Sequence, residues 1–93
     1  MNGPAVGAGL SLALACDIRV ASERANFGFF HIRRGMHFAD GGIVRLVNTV
    51  GVGIAMELEL MGEPIDAQRA KEVHLVNRVV PHDQVMAAAE EIA

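Results

Sequence analysis

The sequence predicts a mixed helix and strand chain, α/β or α+β in class, with several helices packed on a few short strands. Three observations carry this. Ile43, Leu46, Val47 and Val50 fall at i, i+3, i+4 and i+7, the spacing of one buried helical face. Asp17-Ile18-Arg19-Val20-Ala21 alternates polar and apolar residues with period two, the pattern of a strand covered on one side. Gly51, Gly53, Gly62 and Pro81 stand where one periodic segment gives way to the next.

Taken in order, Asn2-Gly3-Pro4 is turn chemistry, and Gly7-Ala8-Gly9 makes a loop whose backbone can approach a ligand closely. Residues 10–16 read as a short, nearly all-apolar helix, expected to be buried on most sides. The strand over 17–21 follows, then a turn at Ser22-Glu23-Arg24 and a second extended piece, Asn26-Phe27-Gly28. The two extended pieces are expected to form a hairpin-like pair. From 29 to 39 the periodicity is irregular and Gly35 breaks it, so this stretch reads as a loop around a pocket; all four Phe fall between Phe27 and Phe38. Asp40 precedes the helix of the Ile43 stripe, which Gly51 and Gly53 stop. A second helix over 54–61 turns Ile54, Leu58 and Met61 inward and ends at Gly62, leaving Glu57 and Glu59 as solvated surface. Asp66 caps a third helix with Ala67, Ala70 and Val73 inward. Residues 75–80 form a strand closed by Pro81, and Val85, Ala89 and Ile92 make a stripe on a last helix. The strands are too few for a sheet of usual size, so the chain reads as a piece of a larger fold.

With 93 residues, 52% of them hydrophobic, one small domain is the ceiling. Net charge is −3 and the eight Lys and Arg are spread along the chain, which excludes a basic footprint for nucleic acid or anionic lipid. Cys16 has no second Cys to pair with, which suits a reducing compartment, and it is expected as a small buried hydrophobe. The apolar stretch 4–16 lacks a basic leader and runs on into strand-like sequence, so it does not read as an export signal. No stretch reaches the roughly 20 apolar residues of a membrane-spanning helix. A cytoplasmic location without membrane or metal is expected, since His37, His74 and His82 show no metal-ligand spacing.

Read together, the run Asn2-Gly3-Pro4-Ala5-Val6-Gly7-Ala8-Gly9-Leu10-Ser11-Leu12-Ala13-Leu14-Ala15-Cys16-Asp17 resembles the glycine-rich oxyanion segment of the crotonase (enoyl-CoA hydratase/isomerase) superfamily. The resemblance continues through Ala25-Asn26-Phe27-Gly28, Gly35, Asp40-Gly41-Gly42 with Arg45-Leu46, Gly51, Gly62-Glu63-Pro64-Ile65-Asp66-Ala67 and Leu75-Val76-Asn77-Arg78-Val79-Val80-Pro81. It implies an α/β fold, the crotonase-like ββα superhelix, of which residues 1–93 are a partial domain: the central segment, with the N-terminal half and the C-terminal helices absent. As a dinucleotide fingerprint the same loop fails, because Leu12 stands where the third Gly belongs.

A helix start offers unpaired backbone N–H groups and the positive end of the peptide dipoles, and a Gly-rich lead-in lets a carbonyl oxygen reach them. By resemblance, the Ala8 N–H receives the thioester oxygen of an acyl-CoA, with Gly7, Gly9, Ser11 and Phe30 as substrate-binding residues beside it. The two hydratase glutamates fall on Ser11 and His31. Hydration needs one group to take a proton from water and one to protonate the α-carbon; a serine is no base without an activating neighbour, whereas histidine side chains move protons near neutral pH. His31 is thus either a proton-transfer group or a pocket-wall residue. Asp40 is either a further proton-transfer group or the cap of its helix, since the working carboxylate of some relatives aligns nearer Ala39. The resemblance implies isomerisation or another enolate chemistry rather than hydration, no cofactor beyond the coenzyme A of the thioester substrate, and a homo-oligomer, trimeric or a dimer of trimers at full length. The alternative is a catalytically silent truncated fragment or assembly partner.

Overall fold

The structure, a computed structural model, describes residues 1–37 and 40–93. Along the chain run β1 (Ala5–Val6), α1 (Ala8–Leu14), β2 (Val20–Ser22), β3 (Asn26–Gly28), a 3-10 turn (His31–Arg34), α2 (Gly42–Val50), α3 (Val52–Met61), β4 (Ile65–Asp66), α4 (Ala67–Glu72), β5 (Arg78–Val80), a second 3-10 turn (His82–Gln84) and α5 (Val85–Ile92). The strands make two small sheets. One has the order β1-β3-β4, with β1 parallel and β4 antiparallel to β3; in the other β2 and β5 run parallel, Val20 opposite Arg78.

The hairpin expected between 17–21 and 26–28 is therefore corrected: the two strands belong to different sheets. A tight turn, in which Ala25 N–H donates to Ser22 O at 3.0 Å, turns the chain from one sheet into the other. Met1 flanks β2, its carbonyl accepting from Ser22 N–H at 2.8 Å and its amino group donating to Val20 O at 2.6 Å. The first strand also begins later than predicted, because Arg19 pins the preceding bend: its N–H donates to Asn77 Oδ1 at 2.8 Å, and its guanidinium to Leu75 O at 2.7 Å and Cys16 O at 2.6 Å.

Helix α1 starts earlier than predicted and is covered on one side only. Leu10, Ser11 and Leu14 are buried where α2 packs against it, but Leu12 is 72% exposed, and Cys16, expected inside, is exposed just past the helix end. The core gathers Leu10, Leu14, Phe27, Phe29, Leu46 and Leu75 between the sheets and helices. Asp66 caps α4 as expected, its Oδ1 accepting from Arg69 N–H at 2.8 Å, and Ala67, Ala70 and Val73 are all buried.

The second predicted helix differs in its face. Helix α3 begins at Val52, and its buried residues are Ala55, Leu58 and Glu59, whereas Met61 is exposed. Glu59, expected in solvent, is only 6% exposed. At the end of α3 Gly62 takes φ +62°, and a Cβ there would lie 2.6 Å from Ile32 Cγ2, so glycine is required by both backbone and space. Among the described residues no helix is long and apolar enough to cross a membrane.

Candidate active site

The loop into α1 is set by Gly7. It adopts φ 54° and ψ −127°, a conformation open to glycine, and its N–H donates to Gly28 O at 3.0 Å, tying the loop to β3. The first helical turn closes when Ser11 N–H donates to Gly7 O at 3.0 Å. The amides ahead of Ser11 have no partner one turn back, and the Ala8 N–H finds no acceptor among the described residues. Ala8 and Gly9 are exposed.

Across from this loop lies His31. Its Cε1 and Nε2 atoms are 3.5 and 3.9 Å from the point where a Cβ on Gly7 would sit, so this edge of the imidazole faces the loop, while Nδ1 on the other edge is buried. Its ring is tilted by 33° to that of Phe29, centroids 6.5 Å apart. Phe30 is half-buried with the Arg33 guanidinium 4.5 Å over its ring, and Arg33 Nε in turn donates to Gly62 O at 2.7 Å. The turn bearing His31 is thereby fastened to the end of α3.

Ser11 is 4% exposed, and its hydroxyl has no hydrogen-bond partner among the described residues. Asp40 is exposed and serves its own turn: Oδ1 accepts from Gly42 N–H at 3.1 Å, and its carbonyl accepts from Arg45 Nη1 at 3.3 Å. Ala39, expected from the resemblance to lie nearer the working carboxylate of some relatives, is outside the described residues. The structure thus brings the His31 ring against Gly7 at the start of α1 and leaves the Asp40 side chain in a local role.

Sequence reasoning missed Glu59. Its Oε2 has no hydrogen-bond partner among the described residues, and burial pushes its carboxyl above the ordinary glutamate value, with the charges of His31 and His37 pulling it part of the way back. Ala55, Leu58 and Glu59 do share the spacing i, i+3, i+4, but apolar residues on the other sides of the same helix offer competing stripes, so the sequence did not single this one out. Among the described residues no group of three His, Cys, Asp or Glu side chains is placed to hold a metal ion. A concavity of about 510 Å³ lies elsewhere, lined by Met1, Ala13, Cys16, Ile18, Ala89 and Ile92 among others.

Comparison with known proteins places this fold in a single class, that of the crotonase-like enoyl-CoA hydratase/isomerase proteins. The whole chain, residues 1–93, matches the enoyl-CoA hydratase/isomerase family, and it belongs to that family. It is 43% identical over its full length to the mevalonyl-coenzyme A hydratase of Aspergillus fumigatus and to the 2,3-dehydroadipyl-CoA hydratase of Escherichia coli, spanning 34% and 36% of their lengths. Among solved structures it superposes with a TM-score of 0.94 on an enoyl-CoA hydratase from Mycobacterium paratuberculosis, 46% identical, covering 99% of this chain and 41% of that one. The chain is thus a crotonase-fold segment spanning about a third of the length of those curated relatives.

Proposed function

We propose that this chain acts on acyl-CoA thioesters through enolate chemistry, the Ala8 N–H receiving the thioester oxygen and His31 moving the α-carbon proton. The observation that carries the reading is the exposed Ala8 amide, without an acceptor among the described residues, beside the Nε2 edge of His31. In the step the α C–H bond breaks, its proton goes to His31 Nε2, and the electron pair forms the enolate, whose oxygen gains negative charge at the Ala8 N–H. One such donor is commonly worth about 3 to 4 kcal/mol of barrier. Return of the proton to a different carbon of a conjugated chain gives isomerisation. Addition of water is disfavoured, because Ser11 stands in place of one carboxylate and its hydroxyl has no hydrogen-bonded base among the described residues. His31 is preferred to Asp40 as the proton-transfer group, since the Asp40 carboxylate is engaged by Gly42 N–H. Coenzyme A enters as part of the substrate, and a cytoplasmic homo-oligomer is the corresponding proposal for the whole protein.

The reading is tested by deuterium wash-in from D2O into the α-carbon of butyryl-CoA, followed by mass spectrometry, with crotonyl-CoA hydration measured in parallel. Expected are α-exchange that falls about 100-fold in His31→Ala and hydration at the background rate. Absence of α-exchange, or robust hydration that survives His31→Ala, overturns it.

A further inference from the structure

One cation on the turn that carries His31 is held in place by neutral groups alone. Arg33 Nε donates to Gly62 O at 2.7 Å, and the guanidinium lies 4.5 Å from the centre of the Phe30 ring, so the side chain is fixed at two points. Its stem is held as well, Cγ lying 3.5 Å from the point where a Cβ on Gly62 would sit. Arg33 is nevertheless exposed, and among the described residues its terminal nitrogens meet no acceptor and it forms no ion pair. No Asp or Glu occurs between Glu23 and Asp40; Asp40 is engaged by Gly42 N–H, and Glu63, next to Gly62, is exposed without an ion pair to Arg33. The charge is therefore fixed in position and unanswered. A free arginine loses rotamer freedom when it pairs with an anion, and one already anchored presents its fork at a lower cost.

The Phe30 ring links this cation to the loop before α1. A Cβ on Gly28 would lie 2.6 Å from Phe30 Cε1 and 2.8 Å from Cζ, so the ring edge covers Gly28, whose carbonyl accepts the Gly7 N–H at 3.0 Å. His31, next to Phe30 in the chain, closes on Gly7 from the same turn. The contacts thus run without a break from Gly7 through Gly28 and the Phe30 ring to the Arg33 guanidinium.

We propose that Arg33 and Phe30 form a subsite for a carboxylate at the far end of the acyl chain, so that the preferred substrate is the coenzyme A thioester of a dicarboxylic acid. This names a substrate class for the enolate reading and rests on that reading for the place of the thioester. With the thioester oxygen at the Ala8 N–H, the methylenes of the acyl chain pass along the Phe30 ring and the terminal group meets the guanidinium. The chemistry recognised is an oxyanion: the planar fork of an arginine matches the two oxygens of a carboxylate through parallel N–H···O bonds. An acyl-CoA also carries oxyanions on the coenzyme phosphates. Those lie a whole pantetheine arm from the thioester, whereas Phe30 and Arg33 adjoin the loop that receives it, so the acyl end is the source assigned here.

The subsite is read by isothermal titration calorimetry of the purified chain with thioesters paired by length, glutaryl-CoA against valeryl-CoA and suberyl-CoA against octanoyl-CoA, and with free coenzyme A. In at least one pair the carboxylate-ended thioester is expected to bind about 5-fold more tightly than its neutral counterpart, the preference shrinking as salt is raised. Arg33→Met keeps an unbranched stem against Gly62 and Phe30; it removes the preference and leaves the affinities for the neutral thioester and for coenzyme A as they were. Arg33→Lys, which keeps the charge without the fork, retains part of the preference. Equal affinity within both pairs overturns the assignment, as does an Arg33→Met chain that still prefers the carboxylate. A loss in Arg33→Met shared equally by the neutral thioester overturns it too, marking Arg33 as a fastening of its turn; a loss shared equally by free coenzyme A does the same, placing the fork at a phosphate. If the preference holds while no thioester exchanges its α-proton with D2O, the enolate reading fails and the carboxylate subsite stands; exchange without preference removes the subsite and leaves the enolate chemistry in place.

Discussion

Burial sets the behaviour of Glu59 as a single residue, and it leads to a pH dependence of known sign. Its carboxyl is held above the ordinary glutamate value by desolvation, only partly offset by His31 and His37. Between the ordinary and the raised value the folded chain binds more protons than the unfolded chain, so stability falls as pH rises through that window and returns on acidification. Glu59→Gln removes this term. Thermal melts followed by circular dichroism should show the variant gaining on the wild type at pH above the window, the advantage shrinking toward zero as pH drops below the ordinary glutamate range; an advantage independent of pH would contradict the assignment. At this scale the sequence showed Ala8, Ser11 and His31 through their places in a long ordered motif. It concealed Glu59 because α3 carries apolar residues on every side, Val52, Ile54, Met56, Leu58 and Leu60 among them, so periodicity could not say which stripe faces inward.

At the scale of elements, the ends were legible and the pairings were not. Asp66, Gly51 and Gly62 end or begin helices for local reasons, a side-chain acceptor or a positive φ, and these act within a few residues of themselves. Strands of two or three residues carry almost no alternation, and their partners lie far along the chain, Val20 opposite Arg78 and Ala5 opposite Phe27, so no local pattern distinguishes a hairpin from a crossover. One helix end departs from the local rule. After α4, His74 adopts φ 66° at an exposed position, while Leu75 N–H and Val76 N–H both reach back to Ala70 O at 2.8 and 3.3 Å. A side chain in the left-handed region costs about 1 kcal/mol. His74→Gly should therefore raise the free energy of unfolding by roughly that amount, read from the urea midpoint; an unchanged or lower midpoint would show that the histidine is held there by contacts worth more than the strain.

On the scale of the whole molecule, the two small sheets leave much helix surface bare: Leu12 on α1, Val44 on α2, Met56 and Leu60 on α3 and Met86 on α5 are exposed apolar side chains. This agrees with a segment spanning 34% and 36% of two curated relatives. Family membership was legible because the match runs in order along the entire chain, and a Gly-rich helix start with its following strand and caps is far harder to meet by chance than any one of its parts. What the site does stays tied to one main-chain group. Ala8 lies at the surface and its N–H finds no acceptor among the described residues, which leaves that amide open to an oxygen arriving from solvent. The most direct test is a 1H–15N NMR titration of the chain with butyryl-CoA, combined with hydrogen exchange at Ala8. The account predicts an Ala8 amide that exchanges rapidly with water when the chain is alone, then moves downfield and becomes protected as the thioester is added. An amide already protected without ligand, or one that stays in place while neighbouring resonances move, would contradict it.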